Sequence, residues 1–231
     1  MNILIRKKMI GFFAIFLVFV FGFGFFVSNA VSVSTVSPMG ITVVIDAGHG
    51  GMDGGSVGAN GTIESDLNLI YAQKLTRYLT NFGINVVNTR LDNNGLYGEL
   101  TDDFKLVDMK KRADIINSSG AQILVSIHMN KFTDGNENGA QVFFEQDSEE
   151  SKKLADSIRD ILVVNFENAR NLTLVGDYYI LNNTSPIGVI VECGFLSNAE
   201  EERLLNTEEY QNKMCYSIFC GIINFLDVVS Y

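Results

Sequence analysis

Val43-Val44-Ile45-Asp46-Ala47-Gly48-His49-Gly50-Gly51-Met52-Asp53-Gly54-Gly55 decides how the rest of the chain is read. It opens as a short apolar, β-branched run, the pattern of a buried strand. It then breaks into a loop with five glycines and one histidine. Glycine permits positive φ and lets backbone come close to a ligand. A histidine in such a loop, directly past a buried strand, is well placed to hold a metal. The chain has only two histidines, and His128 also follows an apolar run, Ile123-Leu124-Val125-Ser126-Ile127.

Outward from that stretch the chain alternates. The first strand covers Ile41–Asp46. From Ser65 to about Thr80 the apolar residues Leu67, Ile70, Tyr71, Leu75, Tyr78 and Leu79 fall on one helical stripe, with Glu64 at its start and Gly83 at its end. Ile84–Asn88 reads as a second strand. Thr101 or Asp102 caps a helix to about Asn117, with Leu106, Met109, Ala113 and Ile116 inward and Lys110, Lys111 and Arg112 outward. A strand then leads to Ile127. Phe132–Asn138 is a polar loop, and Ala140–Glu145 is a strand at a sheet edge. A helix starting at Ser148-Glu149-Glu150 carries Leu154, Ile158, Ile161 and Leu162, with its acids suited to the first turn. Asn165–Gly176 is irregular, Tyr178–Leu181 is a short strand, and Val189-Ile190-Val191 is the last apolar strand. A helix over about Glu208–Val228 closes the domain. This order predicts a three-layer α/β fold: a twisted, mainly parallel sheet flanked by helices, with the ligand crevice at the carboxyl ends of the strands.

The 231 residues suggest one domain, and 47% hydrophobic against 19% charged residues supplies a full core. The apolar excess is concentrated in Ile10–Val27, which follows Arg6, Lys7 and Lys8. That is the layout of an export signal, with Ser28-Asn29-Ala30 as a cleavage site, or of an N-terminal membrane anchor. Either reading gives residues 1–30 as leader, 31–40 as linker and 41–231 as the domain, and places the domain outside the cytoplasmic membrane. Residues 31–231 hold 14 basic against 27 acidic side chains, a net charge of −13. This sign excludes nucleic acid as a partner. Cys193, Cys215 and Cys220 form no C-x-x-C pair and read as small buried hydrophobes. No wall-binding module or internal repeat is expected.

Three strand ends carry polar residues that can meet in the crevice: Asp46/His49, His128/Asn130 and Glu192. Glu64 starts a helix at the same edge. His49, Glu64 and His128 make a set of two imidazoles and one carboxylate with a fourth position open, the pattern of a catalytic rather than a structural zinc. Glu192 is left over as a carboxylate facing the same crevice. It can take a proton from a water that the metal has acidified and return it to a leaving nitrogen, which is amide hydrolysis. Taken singly, each residue has a blander reading. A lone histidine is commonly packed or solvated, Glu64 suits a helix dipole, and Glu192 is a strand-end charge. Yet a carboxylate directly after Gly188–Val191 is partly desolvated and needs a partner. Asp46 reads as a turn-former or as a partner orienting an imidazole. Cys193 alternates away from the crevice.

Val44-Ile45-Asp46-Ala47-Gly48-His49-Gly50-Gly51-x-Asp53, Glu64 at a helix start, Ser126-Ile127-His128-x-Asn130 and Val191-Glu192-x-Gly194-Phe195-Leu196-Ser197-Asn198 resemble the zinc-dependent N-acetylmuramoyl-L-alanine amidases of the amidase-3 type. The resemblance covers about residues 41–227. It implies zinc on His49, Glu64 and His128, with Glu192 catalytic. It also implies cleavage of the amide between the muramoyl lactyl group and L-alanine in peptidoglycan. Arg90, Arg112 and Asn130 match recurrent positions of the family, and Asn130 and Arg90 are read as substrate contacts. The compact chain further resembles the germination-specific, spore-cortex members, which implies a part in making muramic-δ-lactam in the cortex space. Members that separate dividing cells often insert an autoinhibitory helix after the second histidine motif. Here a short loop stands there, so access is expected to be controlled by something else: an activating or positioning protein partner, placement in the membrane, or metal occupancy. The alternatives are a vegetative cell-separation amidase, a zinc carboxypeptidase acting within the stem peptide, and a wall-binding protein without activity.

Overall fold

The computed structural model describes residues 40–229. The leader expected over residues 1–30, and all of the expected linker but Gly40, lie outside the described residues. Six strands form one sheet: β1 (Thr42–Ala47), β2 (Asn85–Asn88), β3 (Ile123–Asn130), β4 (Gln141–Phe144), β5 (Leu174–Val175) and β6 (Ile187–Phe195). The spatial order is β2-β1-β3-β6-β4-β5. β1 is parallel to β2 and β3, β3 to β6, and β4 to β5; β4 against β6 is the one antiparallel pairing in this sheet. The expected mainly parallel sheet is therefore present. β4 is not its edge, because the two-residue β5 continues the sheet beyond it.

Helices cover both faces. They are α1 (Glu64–Asn81), α2 (Phe104–Ser118), α3 (Glu149–Asn165), α4 (Tyr179–Asn182), α5 (Ala199–Leu205) and α6 (Glu208–Val229). Alternation along each strand divides the core in two. Val43, Ile45, Val125, Ile127, Val189, Val191 and Cys193 share the larger cluster with α1, α3 and α6. Val44, Leu124 and Ile190 share the smaller one with Ile116 of α2 and Ile180 and Leu181 of α4. Both faces are buried, as parallel sheets require. Cys193 is on the face expected for it. None of the helices among the described residues is long and apolar enough to cross a membrane.

Three local expectations change. Tyr178–Leu181 leads into the short helix α4 rather than a strand, since a brief apolar run does not distinguish the two. Leu106 faces out and is 46% exposed, whereas Arg112, expected outside, is buried. α5 is an additional helix, capped by the Asn198 side chain, which accepts from Glu201 N at 3.0 Å. Two of its three consecutive glutamates act as backbone clamps. Glu201 accepts from Gly139 N and Phe195 N. Glu202 accepts from Asn60 N and Thr62 N, which ties down the loop between His49 and Glu64.

Candidate metal centre

The even-numbered positions that carry Val44, Leu124 and Ile190 into the smaller core continue, toward the carboxyl ends of the strands, as Asp46, Ser126, His128 and Glu192. His128 and Glu192 are register partners on β3 and β6, so their side chains leave the same face of the sheet side by side. Just beyond His128 the β3–β6 register shifts. Glu64 is the first residue of α1, which begins where the glycine loop returns to the sheet.

His49 lies two residues past β1 with φ of 60°, in the left-handed region that non-glycine residues seldom occupy. Two buried arginines hold this backbone. Arg112 Nη1 donates to Ala47 O at 2.7 Å and its Nη2 to His49 O at 2.5 Å. Arg90 Nε donates to Ala47 O, and its Nη2 to Gly48 O and Ser65 O. Three successive carbonyls that would be orphaned at the strand end are thereby satisfied. Arg90, read from the sequence as a substrate contact, is instead 4% exposed, with its guanidinium occupied by backbone carbonyls. It positions the loop.

Asp46 is neither a turn-former nor an imidazole's direct partner. It is a strand residue whose carboxylate accepts from Arg112, Thr89 Oγ1 and Ser126 Oγ at 2.6–2.7 Å. Burial alone would raise its pKa, but the Arg112 charge and the two hydroxyls hold it at about 2. Arg112 also pairs with Asp108 at 2.6 Å, so it bridges two carboxylates while gripping the His49 loop.

His49 Nδ1 is 2.8 Å from Asp53 Oδ2, and Asp53 Oδ1 is 2.8 Å from Lys105 Nζ. With Nδ1 donating to Asp53, Nε2 is left free to ligate, the usual arrangement behind a metal-binding imidazole. In the sequence Asp53 stands within the glycine-rich motif with no sign of this role. Burial works against the charged ring, yet Asp53 and Glu64 raise His49 to about 9. Glu64 is held well below the usual carboxylate range, because His128 and His49 outweigh the opposing effect of burial. Its Oε2 accepts from Ser56 N at 2.7 Å.

These donors fit a zinc ion. Glu64 Oε1 is 3.0 Å from His128 Nδ1 and 3.3 Å from His49 Nε2. Tetrahedral bonds of about 2.0–2.1 Å set neighbouring donors roughly 3.3 Å apart, close to both carboxylate–imidazole spacings. The rings are 5.0 Å between centroids at 78°, approaching from two directions. Absence of side chains makes room for the donors. A Cβ on Gly48 would lie 2.2 Å from His128 Nε2, and one on Gly55 would lie 2.6 Å from Glu64 Oε2. His49, Glu64 and His128 form the potential metal-ligand cluster among the described residues.

The same cluster lines a cleft of about 470 Å³ that also takes in Glu192, Asn130, Lys131, Tyr178 and Tyr179. Burial pushes Glu192 up to about 7; His128 and His49 oppose this and Glu64 adds to it. Its Oε2 is buried and has no hydrogen-bond partner among the described residues. Asn130 Nδ2 donates to Gln141 Oε1 at 2.9 Å, at the rim of the cleft. Residues 131–140 form a loop with no inserted helix.

Comparison with known proteins agrees with this geometry. The profile of the family described as N-acetylmuramoyl-L-alanine amidase matches residues 43–224. The germination-specific N-acetylmuramoyl-L-alanine amidase of Bacillus subtilis (strain 168) is 34% identical over 215 residues, 91% of this chain and 90% of that protein. The CwlD amidase from Clostridioides difficile, solved in complex with the GerS lipoprotein, superposes with a TM-score of 0.78 at 36% identity, covering 81% of this chain and 99% of that one. The catalytic domain of CwlV from Bacillus (Paenibacillus) polymyxa var. colistinus gives 0.71 at 30% identity, covering 81% and 99%. The chain belongs to the N-acetylmuramoyl-L-alanine amidase family and is an enzyme of that activity.

Proposed function

We propose that this amidase is zinc-dependent and that it works on spore-cortex peptidoglycan outside the cytoplasmic membrane, freeing the muramoyl lactyl carboxyl from which a δ-lactam ring can then be closed. His49 Nε2, His128 Nδ1 and Glu64 Oε1 would hold the ion. When bound, zinc supplies a Lewis acid that acidifies water and stabilises negative charge on the carbonyl oxygen. Glu192 takes the proton of the attacking water, whose oxygen bonds to the lactyl carbonyl carbon. As the C–N bond breaks, Glu192 returns that proton to the alanine nitrogen. The products are a lactyl carboxylic acid on the sugar and a free amino terminus on the stem peptide.

The observation that carries this reading is Glu192 itself. It is a buried carboxylate beside His128, with one oxygen unsatisfied and a pKa near neutrality, as a general base needs. The cortex assignment rests on the germination-specific relative in Bacillus subtilis. A protein partner is supported by the Clostridioides difficile relative having been solved with a lipoprotein. The apolar leader, Ile10–Val27, supports export.

Mass spectrometry of digested muropeptides tests the reaction. Glu192→Gln should lower turnover at least 10²-fold while zinc remains bound. Full activity in that variant would remove the role given to Glu192. Fragments cut within the stem peptide, rather than at the sugar, would make the enzyme a carboxypeptidase.

A further inference from the structure

The cleft is lined by the carboxylates Asp46, Asp53, Glu64, Asp108 and Glu192 as well as by cations. Three Lys and Arg side chains line it: Lys105, Arg112 and Lys131. Two have their charge answered. Arg112 is paired with Asp46 and Asp108, and Lys105 with Asp53. Lys131 differs. Its Nζ donates to the neutral Val57 O at 3.0 Å, and among the described residues it makes no ion pair. It directly follows Asn130 at the end of β3, three residues past His128. Two partly buried aromatic residues, Tyr178 and Tyr179, line the cleft from α4 and the residue before it. The partners of the two lysines, Asp53 and Val57, both belong to the loop between His49 and Glu64.

The substrate is likewise two-sided about the scissile amide. The sugar is uncharged and presents apolar ring faces and an acetyl methyl. The stem is anionic wherever its second residue, a γ-linked glutamate, keeps its α-carboxylate, and neutral there when that group is a carboxamide. An ammonium bonded only to a carbonyl gains by exchanging it for a carboxylate, because charge-assisted hydrogen bonds are about twice as strong as neutral ones.

We propose that Lys131 is a specificity-determining residue that binds the carboxylate of the second stem residue, so that this enzyme favours acid stems over amidated ones. This rests on the amidase activity of the family and adds to it a choice among its substrates. A lysine that merely tethered Val57 would affect both kinds of stem alike.

The experiment compares two soluble substrates, muramoyl-L-alanyl-isoglutamate and its isoglutamine counterpart, with product identified by mass. The native enzyme should show kcat/KM about tenfold higher on the acid, mainly through KM. Lys131→Met should bring the ratio to about one, and Lys131→Arg should keep most of it. Calorimetry in a Glu192→Gln background, where cleavage does not intervene, should show the same ratio in Kd and its loss with Lys131→Met. Equal use of both substrates by the native enzyme overturns the proposal. So does a preference that survives Lys131→Met, or a parallel loss on both substrates. Release of no lactyl acid from either substrate by the native enzyme would defeat the amidase reading as well, and is distinguishable from those outcomes.

Discussion

Gly48→Ala is the sharpest perturbation of the metal centre, because one methyl group acts on one ligand. Gly48 is not in the left-handed region, so alanine meets no backbone strain there. Its Cβ would stand 2.2 Å from both Cε1 and Nε2 of His128 and 2.7 Å from Nδ1. Ordinary carbon contacts begin near 3.5 Å, so the ring must retreat by about 1 Å. The imidazole side chain is 21% exposed and can swing into the cleft, so the fold survives. A displacement of that size at a catalytic group costs about 10²-fold, or about 2.7 kcal/mol. We expect zinc affinity, measured by competition with a chromophoric chelator, to fall by about that factor, and turnover at limiting zinc to fall with it. Gly61→Ala supplies the contrast. It has nothing within 4 Å but a φ of +91°, so it should lower stability while leaving zinc affinity alone. A Gly48→Ala protein that binds zinc and turns over like the native enzyme would refute the packing argument.

Three further outcomes follow from the same geometry. Asp53→Asn weakens the orientation of His49 and should reduce zinc affinity 10- to 100-fold, read by the same competition, with little change in metal-free melting temperature. Removing metal with a chelator should abolish activity yet leave the far-ultraviolet circular dichroism native. Glu64 and His49 are held by Ser56 N and Asp53 without any ion, and added zinc should restore turnover. Asp46 has a folded pKa depressed to about 2 from 3.8. Its contribution is therefore present above pH 3.8 and lost as pH falls through about 2, an amount of about 2 kcal/mol. Denaturant melts of metal-free protein between pH 5 and 2 should show a steeper loss in the native chain than in Asp46→Asn. That variant should already be about 1.5–3 kcal/mol less stable at pH 7, because it removes one of the two carboxylates that answer Arg112 and leaves Asp108 as its remaining ion-pair partner.

The sequence made the polar strand ends legible, though not all of their uses. His49, His128 and Glu192 each follow an apolar β-branched run, and Glu64 starts an amphipathic stripe, so period and position sufficed to bring them to one sheet edge. Arg112 was illegible for the opposite reason. In a helical stripe a charged residue reads as solvated, and its partner Asp46 lies 66 residues away. For Arg90 a match to a recurrent family position suggests a substrate contact, whereas its guanidinium answers backbone carbonyls that no sequence pattern displays. α5 left a readable sign in Asn198-x-x-Glu201, the spacing of a helix cap, but seven residues are too few for a stripe.

What separates scaffold from chemistry here is hydrogen-bond satisfaction. Asp46, Ser126, His128 and Glu192 all occupy the same face at the ends of neighbouring strands, and composition alone would treat them alike. Burying a polar group without a partner is costly, so each must be answered by something. Arg112 and Thr89 answer Asp46, and Asp46 answers Ser126. Glu192 Oε2 has no answer among the described residues, and His128 is answered chiefly by Glu64, which His49 faces as well. Two imidazoles converge on a single carboxylate oxygen, beside a carboxylate left wanting, an arrangement with room for a further group to complete it. A cation shared by the first three and a proton passed to the fourth would do so.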